Sequence, residues 1–81
     1  MIYFAYIIQS EKTYRYYTGS TDELEKRLRR HNNRETISTR NGVPWKLVHF
    51  EGFRTRTEAV AKELEIKSRG AGRYLKDIET E

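Results

Sequence analysis

Residues 2–8, "IYFAYII", form an unbroken apolar and aromatic run. A half-exposed strand alternates apolar with polar side chains, so a run without alternation calls for a strand covered on both faces. In a chain of 81 residues only one modest core exists to do the covering. The whole of 1–81 is therefore expected to form a single domain packed around this segment. A core of that size supplies about 3–5 kcal/mol at most, so polar groups turned toward it need a compensating partner.

The remaining elements follow from turn and cap signals. "SEKT" at 10–13 reads as a turn, and "YRYYTG" at 14–19 as a second strand completing an antiparallel hairpin. Gly19 ends that strand, and Ser20 with Glu23 has the S-x-x-E spacing of a capping box, predicting a helix over 21–32. Residues 33–44 carry no periodicity and close as a loop at "NGVP". "WKLVHFEGF" at 45–53 is a third strand. Thr55 and Glu58 form another capping box for a helix over 56–68, stopped by Gly70 and Gly72, and "RYLKDI" gives a short last helix. The order β-β-α-β-α-α, without repeats or linkers, predicts an α+β fold.

Both longer helices mix apolar and charged residues on one face. Leu24, Arg27, Leu28 and His31 sit at offsets 0, 3, 4 and 7, and Val60, Glu63, Leu64 and Lys67 repeat those offsets. Ala59 and Ile66 extend the second apolar arc past Glu63, so its carboxylate should find a partner: Lys67, Arg27 or a metal ion. Bland alternatives exist for each residue. Glu63 and Lys67 make an i,i+4 pair, the stem of Arg27 can cover apolar surface while its head reaches water, and a histidine at a helix end is helped by the dipole. Tyrosines in small sheets usually pack with the hydroxyl near water. Tyr17 differs from Tyr3, Tyr14 and Tyr16 in lying at the strand end nearest Arg27, with Tyr6 on the other arm of the hairpin.

Charge and composition narrow the chemistry. Lys and Arg outnumber Asp and Glu by 16 to 12. Lys26, Arg27, Arg29, Arg30, Arg34, Arg40 and Lys46 are opposed within their stretch only by Glu35, which reads either as an electrostatic footprint for polyanions or, equally from charge alone, as a solvated helix face. Without cysteine there is neither a disulfide framework nor a zinc-thiolate site. The first ten residues have no basic leader, cleavage site or membrane-length apolar stretch, which points to a cytoplasmic protein with no membrane partner. An arginine fork, one carboxylate, an imidazole and phenols fit phosphodiester chemistry. Arg27 would clamp the phosphate, and Glu63 would hold a single Mg²⁺ or Mn²⁺. Asp22 and Asp77 are the only aspartates and lie apart, which favours one metal over two.

"FAY" at 4–6, "YTG" at 17–19, Arg27 ten residues after Tyr17, His31, and "TEAVAKELEIK" carrying Glu63 together resemble the GIY-YIG nuclease domain. The chain looks most like small standalone bacterial members and is more distantly similar to the N-terminal domain of the excision-repair nuclease. The resemblance implies a three-stranded antiparallel sheet flanked by helices and metal-dependent hydrolysis of DNA. It implies Tyr17 as general base or water-orienting group with Tyr6 beside it, Arg27 on the phosphate, His31 in proton shuttling and Glu63 on the metal. Phe4 and Thr18 replace two residues of the family name, Ser20 stands where some members carry lysine, and the C-terminal asparagine of the family has no counterpart. Lys26, Arg30, Arg34, Arg40 and Lys67 are the expected DNA contacts. The expected activity is structure-tolerant or weakly sequence-selective, with a protein partner as one source of specificity. A noncatalytic nucleic-acid-binding module of the same fold is the alternative, and a small RNA- or ribosome-associated protein using Tyr14 and Tyr16 for stacking is a third.

Overall fold

The structure, a computed structural model, describes residues 1–79. The apolar run becomes the middle strand: β1 (Tyr3–Ser10) lies between β2 (Tyr16–Thr21) and β3 (Trp45–Phe53), antiparallel to both. This is the three-stranded α+β architecture expected. Helix α1 (Leu24–Asn32) and the loop after it cover one face, while α2 (Arg56–Arg69) and α3 (Ala71–Glu79) cover the other. Alternation along β1 divides its side chains between two cores. Tyr6 and Ile8 pack with Trp45, Tyr17, Leu24 and Leu28, whereas Ile7 packs with Ile66, Tyr74, Val48 and Leu75. On that second face the Tyr74 hydroxyl donates to the Glu51 carboxylate, which His49 also engages at 2.9 Å, tying α3 to β3.

The first capping box is corrected. Ser20 stays in β2, paired with Ala5, and α1 begins at Leu24 rather than 21. Sheet pairing outweighs the local cap, and Thr21 takes over: its Oγ1 accepts the Glu23 backbone N–H at 3.1 Å. The second box forms as predicted, with Thr55 Oγ1 accepting from Glu58 N at 3.2 Å. Gly70 alone ends α2, at φ 88° with its N–H on Ile66 O. Gly72 falls inside α3, because one left-handed residue suffices for the break. β2 starts at Tyr16, since Tyr14 is still in the turn at φ 64°.

The loop over 33–44 is firmly tied despite its lack of period. Asn32 Oδ1 accepts the Trp45 N–H at 2.6 Å while its Nδ2 donates to the Trp45 carbonyl at 3.0 Å. Buried Ser10 donates to Gly42 O at 2.5 Å and accepts from Lys12 N and Thr13 N, so one hydroxyl binds the hairpin turn to the short 3-10 turn at Arg40–Gly42. Loop 33–44 is thereby fixed beside α1 and β3.

Gly19 pairs directly with Tyr6. A Cβ at residue 19 would lie 2.6 Å from the Tyr6 hydroxyl and 2.7 Å from its Cζ. The ring therefore lies over Gly19, carrying the hydroxyl from the middle strand out above β2. Gly19→Ala is expected to cost about 1–3 kcal/mol by overpacking a buried ring. Gly52→Ala meets the exposed side chain of Ile2 instead and should change stability by about 0.5 kcal/mol or less. Denaturant unfolding of the two variants checks this; equal losses would refute the close-approach reading.

Candidate active site

The face of α1 that puzzled in sequence explains itself through His31, which is fully buried. Its Nε2 is 2.9 Å from the Tyr6 hydroxyl and its Nδ1 is 2.8 Å from Thr39 Oγ1. The Thr39 hydroxyl donates to Thr36 O at 3.4 Å, so its oxygen is left to accept. The consistent assignment is Nδ1–H donating to Thr39 and a bare Nε2 accepting the Tyr6 O–H. Burial, and then the positive charge of Arg27, push His31 below the ordinary histidine range, which keeps it neutral and able to accept.

Tyr6 is 1% exposed, and its phenol is pushed well above the usual value. Burial is the main cause, followed by Tyr17; Glu63 also raises it, and Arg27 opposes. Charges from helices on opposite faces of the sheet thus act on one hydroxyl. Gly19 leaves room for the ring, so the hydroxyl stands over β2, a strand that α2 also packs against. Tyr6 keeps its proton and is a donor, not a base. Tyr17 lies alongside, its ring edge-on to His31 at 5.1 Å between centroids and to Trp45 at 6.5 Å.

Glu63 has a side chain 17% exposed, and Lys67 Nζ is 2.7 Å from its Oε2. Of the two side chains open to it as partners, Lys67 and Arg27, the i,i+4 lysine makes the ion pair. Arg27 is half-buried and near Tyr6 and His31. The structure brings Tyr6, Tyr17 and His31 into contact, with His31 buried behind Tyr6, and Arg27 and Glu63 act electrostatically on the Tyr6 hydroxyl. Lys26, Arg30, Arg34 and Arg40 are exposed. Lys26 reaches Glu23 at 3.7 Å, while Arg30, Arg34 and Arg40 make no ion pair among the described residues. Arg30 and Arg40 are chain neighbours of His31 and Thr39, so the basic residues flank the buried relay.

Thr39 and Trp45 belong to this arrangement and were missed by sequence reasoning. The Trp45 indole N–H donates to Thr39 O at 2.7 Å, fixing the residue that fixes His31. The signal that could have found them was the chain's one tryptophan at the head of a strand, whose N–H needs a buried acceptor.

As a cation site, Glu63 offers one carboxylate, and among the described residues no group of three or more His, Asp or Glu forms a cage. That donor set fits Mg²⁺ or Mn²⁺, which are commonly held by one or two carboxylates plus water and phosphate oxygens.

The GIY-YIG catalytic domain family matches residues 2–74. A UPF0213 protein of Haloquadratum walsbyi is 51% identical over 53 residues, covering 64% of this chain and 60% of that protein. One from Clostridium perfringens is 48% identical over 52 residues, 63% of this chain and 56% of that protein. One from Staphylococcus saprophyticus is 40% identical over 63 residues, 76% of this chain and 77% of that protein. The chain thus spans less than two thirds of the first two relatives. The solution NMR structure of a UPF0213 protein from Bacillus halodurans has a TM-score of 0.60 at 24% identity, covering 100% of this chain and 86% of that one, and shows the same fold. Among the described residues no helix is long and apolar enough to cross a membrane.

Because His31 binds a proton less readily folded than unfolded, protonation favours the unfolded chain. Its contribution is complete above the ordinary histidine value of 6.5 and is lost as pH falls from there through the lowered folded value. Unfolding free energy should therefore decline as pH falls below the ordinary histidine value. His31→Gln should lose about 1–3 kcal/mol at neutral pH and show a shallower decline. Parallel pH profiles for the two proteins would contradict the neutral assignment.

Proposed function

We propose that this chain, which belongs to the GIY-YIG catalytic domain family, is an endonuclease that hydrolyses DNA phosphodiester bonds with one divalent cation. The carrying observation is the convergence of Tyr17, Arg27, His31 and Glu63 on the buried Tyr6 hydroxyl.

Arg27 binds the scissile phosphate through its planar donors and stabilises the charge that grows on the phosphoryl oxygens as water attacks. Tyr17 orients the attacking water at the edge of the aromatic cluster. Tyr6, held protonated, fixes the position of Arg27 and Tyr17 around it, and His31 acts through Tyr6 as a positioning residue. The attacking water, oriented by the Tyr17 hydroxyl, forms the new P–O bond and gives up its proton to solvent, while the bond from phosphorus to the leaving oxygen breaks and that oxygen takes a proton from solvent. Glu63 would hold Mg²⁺ or Mn²⁺, which supplies Lewis-acid stabilisation of the phosphate when bound. Lys26, Arg30, Arg34, Arg40 and Lys67 hold flanking phosphates, which position DNA without reading its sequence. Selection among substrates then comes from DNA shape or from a protein partner, in a processing or repair role.

The Glu63–Lys67 pair at 2.7 Å favours one second reading, a noncatalytic nucleic-acid-binding module, because the carboxylate already has a cation beside it. Branched, flapped, nicked and linear DNA incubated with Mg²⁺, Mn²⁺ or chelator distinguishes the two. Metal-dependent cutting is expected, reduced about 10²–10³-fold in Arg27→Ala and abolished in Glu63→Ala with binding retained. Binding by a parent that never cuts would support the module. In either case log affinity should fall linearly with log salt, and Arg30→Ala with Arg40→Ala should flatten the slope by about 0.9 for each phosphate no longer neutralised.

A further inference from the structure

Beside Tyr17, at the start of β2, lies a cleft of about 610 Å³. Tyr16, Tyr17 and Trp45 line it with aromatic surface, Ser38 and Asn41 supply polar groups, and Arg15 adds a cation. The phosphodiester chemistry proposed above uses none of these but Tyr17. Its volume is within the range of about 300–1,000 Å³ that holds small ligands.

The walls are fixed in advance. The Tyr16 ring rests on α3, where a Cβ at Gly72 would stand 3.4 Å from its Cε2, yet 41% of the residue stays exposed. Trp45 is pinned by its bond to Thr39 O and passes so close to Gly42 that a Cβ there would lie 2.5 Å from the indole. The preceding turn holds Tyr14 at a positive φ of 64° with the residue 71% exposed, a conformation uncommon for a bulky residue. A rigid aromatic wall facing an amide, a hydroxyl and a guanidinium suits one chemistry in particular: an unstacked base, with the amide on its edge and the cation on its phosphate. A base inside a duplex has its faces covered by its neighbours and cannot use such a wall.

We propose that this cleft receives the unstacked base of the nucleotide adjacent to the phosphate held at Arg27, so that the protein engages DNA whose strand is unpaired beside that phosphate. This rests on the nuclease reading for the location of the phosphate, and it adds the substrate class.

The test uses the full chain in chelator, with a short single-stranded oligodeoxynucleotide carrying 2-aminopurine and a blunt duplex of the same length. Binding is expected to quench the 2-aminopurine fluorescence and to favour the single strand. Tyr16→Leu, which keeps an apolar contact with Gly72, should reduce the single-strand to duplex affinity ratio about tenfold. Tyr16→Phe, which keeps the ring, should restore the ratio, and Asn41→Ala should lower it severalfold. Should Tyr16→Leu fail to unfold cooperatively, the quenching, Tyr16→Phe and Asn41→Ala measurements carry the test. Absence of quenching, or one ratio shared by all variants, overturns the proposal. Cutting without a single-strand preference removes the cleft and leaves the nuclease reading, whereas quenching and preference in a protein that never cuts do the reverse.

Discussion

The buried hydrogen bond between Tyr6 and His31, 2.9 Å long, is the constraint on which the other features depend. A phenol and an imidazole placed in the small core of a short chain would each be costly unless paired. They pair with each other, and the second imidazole nitrogen is satisfied by Thr39. Among the described residues no buried side-chain nitrogen or oxygen is left without a partner. Satisfying this chain requires the loop after α1 to fold back, so Asn32, Trp45 and Ser10 tie that loop to the sheet. Gly19 is required for the same reason, because the Tyr6 ring can reach His31 and stand above β2 only where residue 19 has no side chain.

From this anchor the electrostatics follow. With Tyr6 protonated by burial and His31 neutral, the half-buried arginine stands beside a donor hydroxyl and an uncharged imidazole. Glu63 acts on the same hydroxyl from α2 while paired with Lys67. On the proposed nuclease reading, a phosphate at this edge would meet the arginine fork and the phenols, and a divalent cation would have to displace Lys67 from the Glu63 carboxylate. The arginines at 30, 34 and 40 are exposed, and Arg30 and Arg40 adjoin His31 and Thr39 in the chain.

Much of this was legible in the residues. The unbroken run at 2–8 declares a strand with two covered faces, and its alternation assigns Tyr6 and Ile7 to opposite cores. Arg27 and His31 at offsets 3 and 7 from Leu24 announce polar groups on a buried face, but the same offsets misled on α2, where Val60 and Leu64 are exposed and Ala59 and Ile66 form the buried stripe. Ser20 misled because an S-x-x-E spacing is local, whereas β2 pairing through Thr21 is not. Thr39 was invisible because a loop has no period to betray which side chain turns inward. The aromatic cleft was equally hidden, since Tyr16 and Asn41 meet only after the loop has docked. Lys67 was recognised as a partner for Glu63, but spacing alone could not choose between it, Arg27 and a metal.

The most direct measurement is the ¹⁵N chemical shifts of the His31 ring in the folded protein at neutral pH. The Tyr6–His31 bond requires a protonated Nδ1 and an unprotonated, hydrogen-bonded Nε2, with no titration near the ordinary histidine value and with Nε2 altered in Tyr6→Phe. A protonated Nε2, or a ring titrating like a free histidine, would contradict it, because Tyr6 would then no longer be held as a donor at the centre of the site.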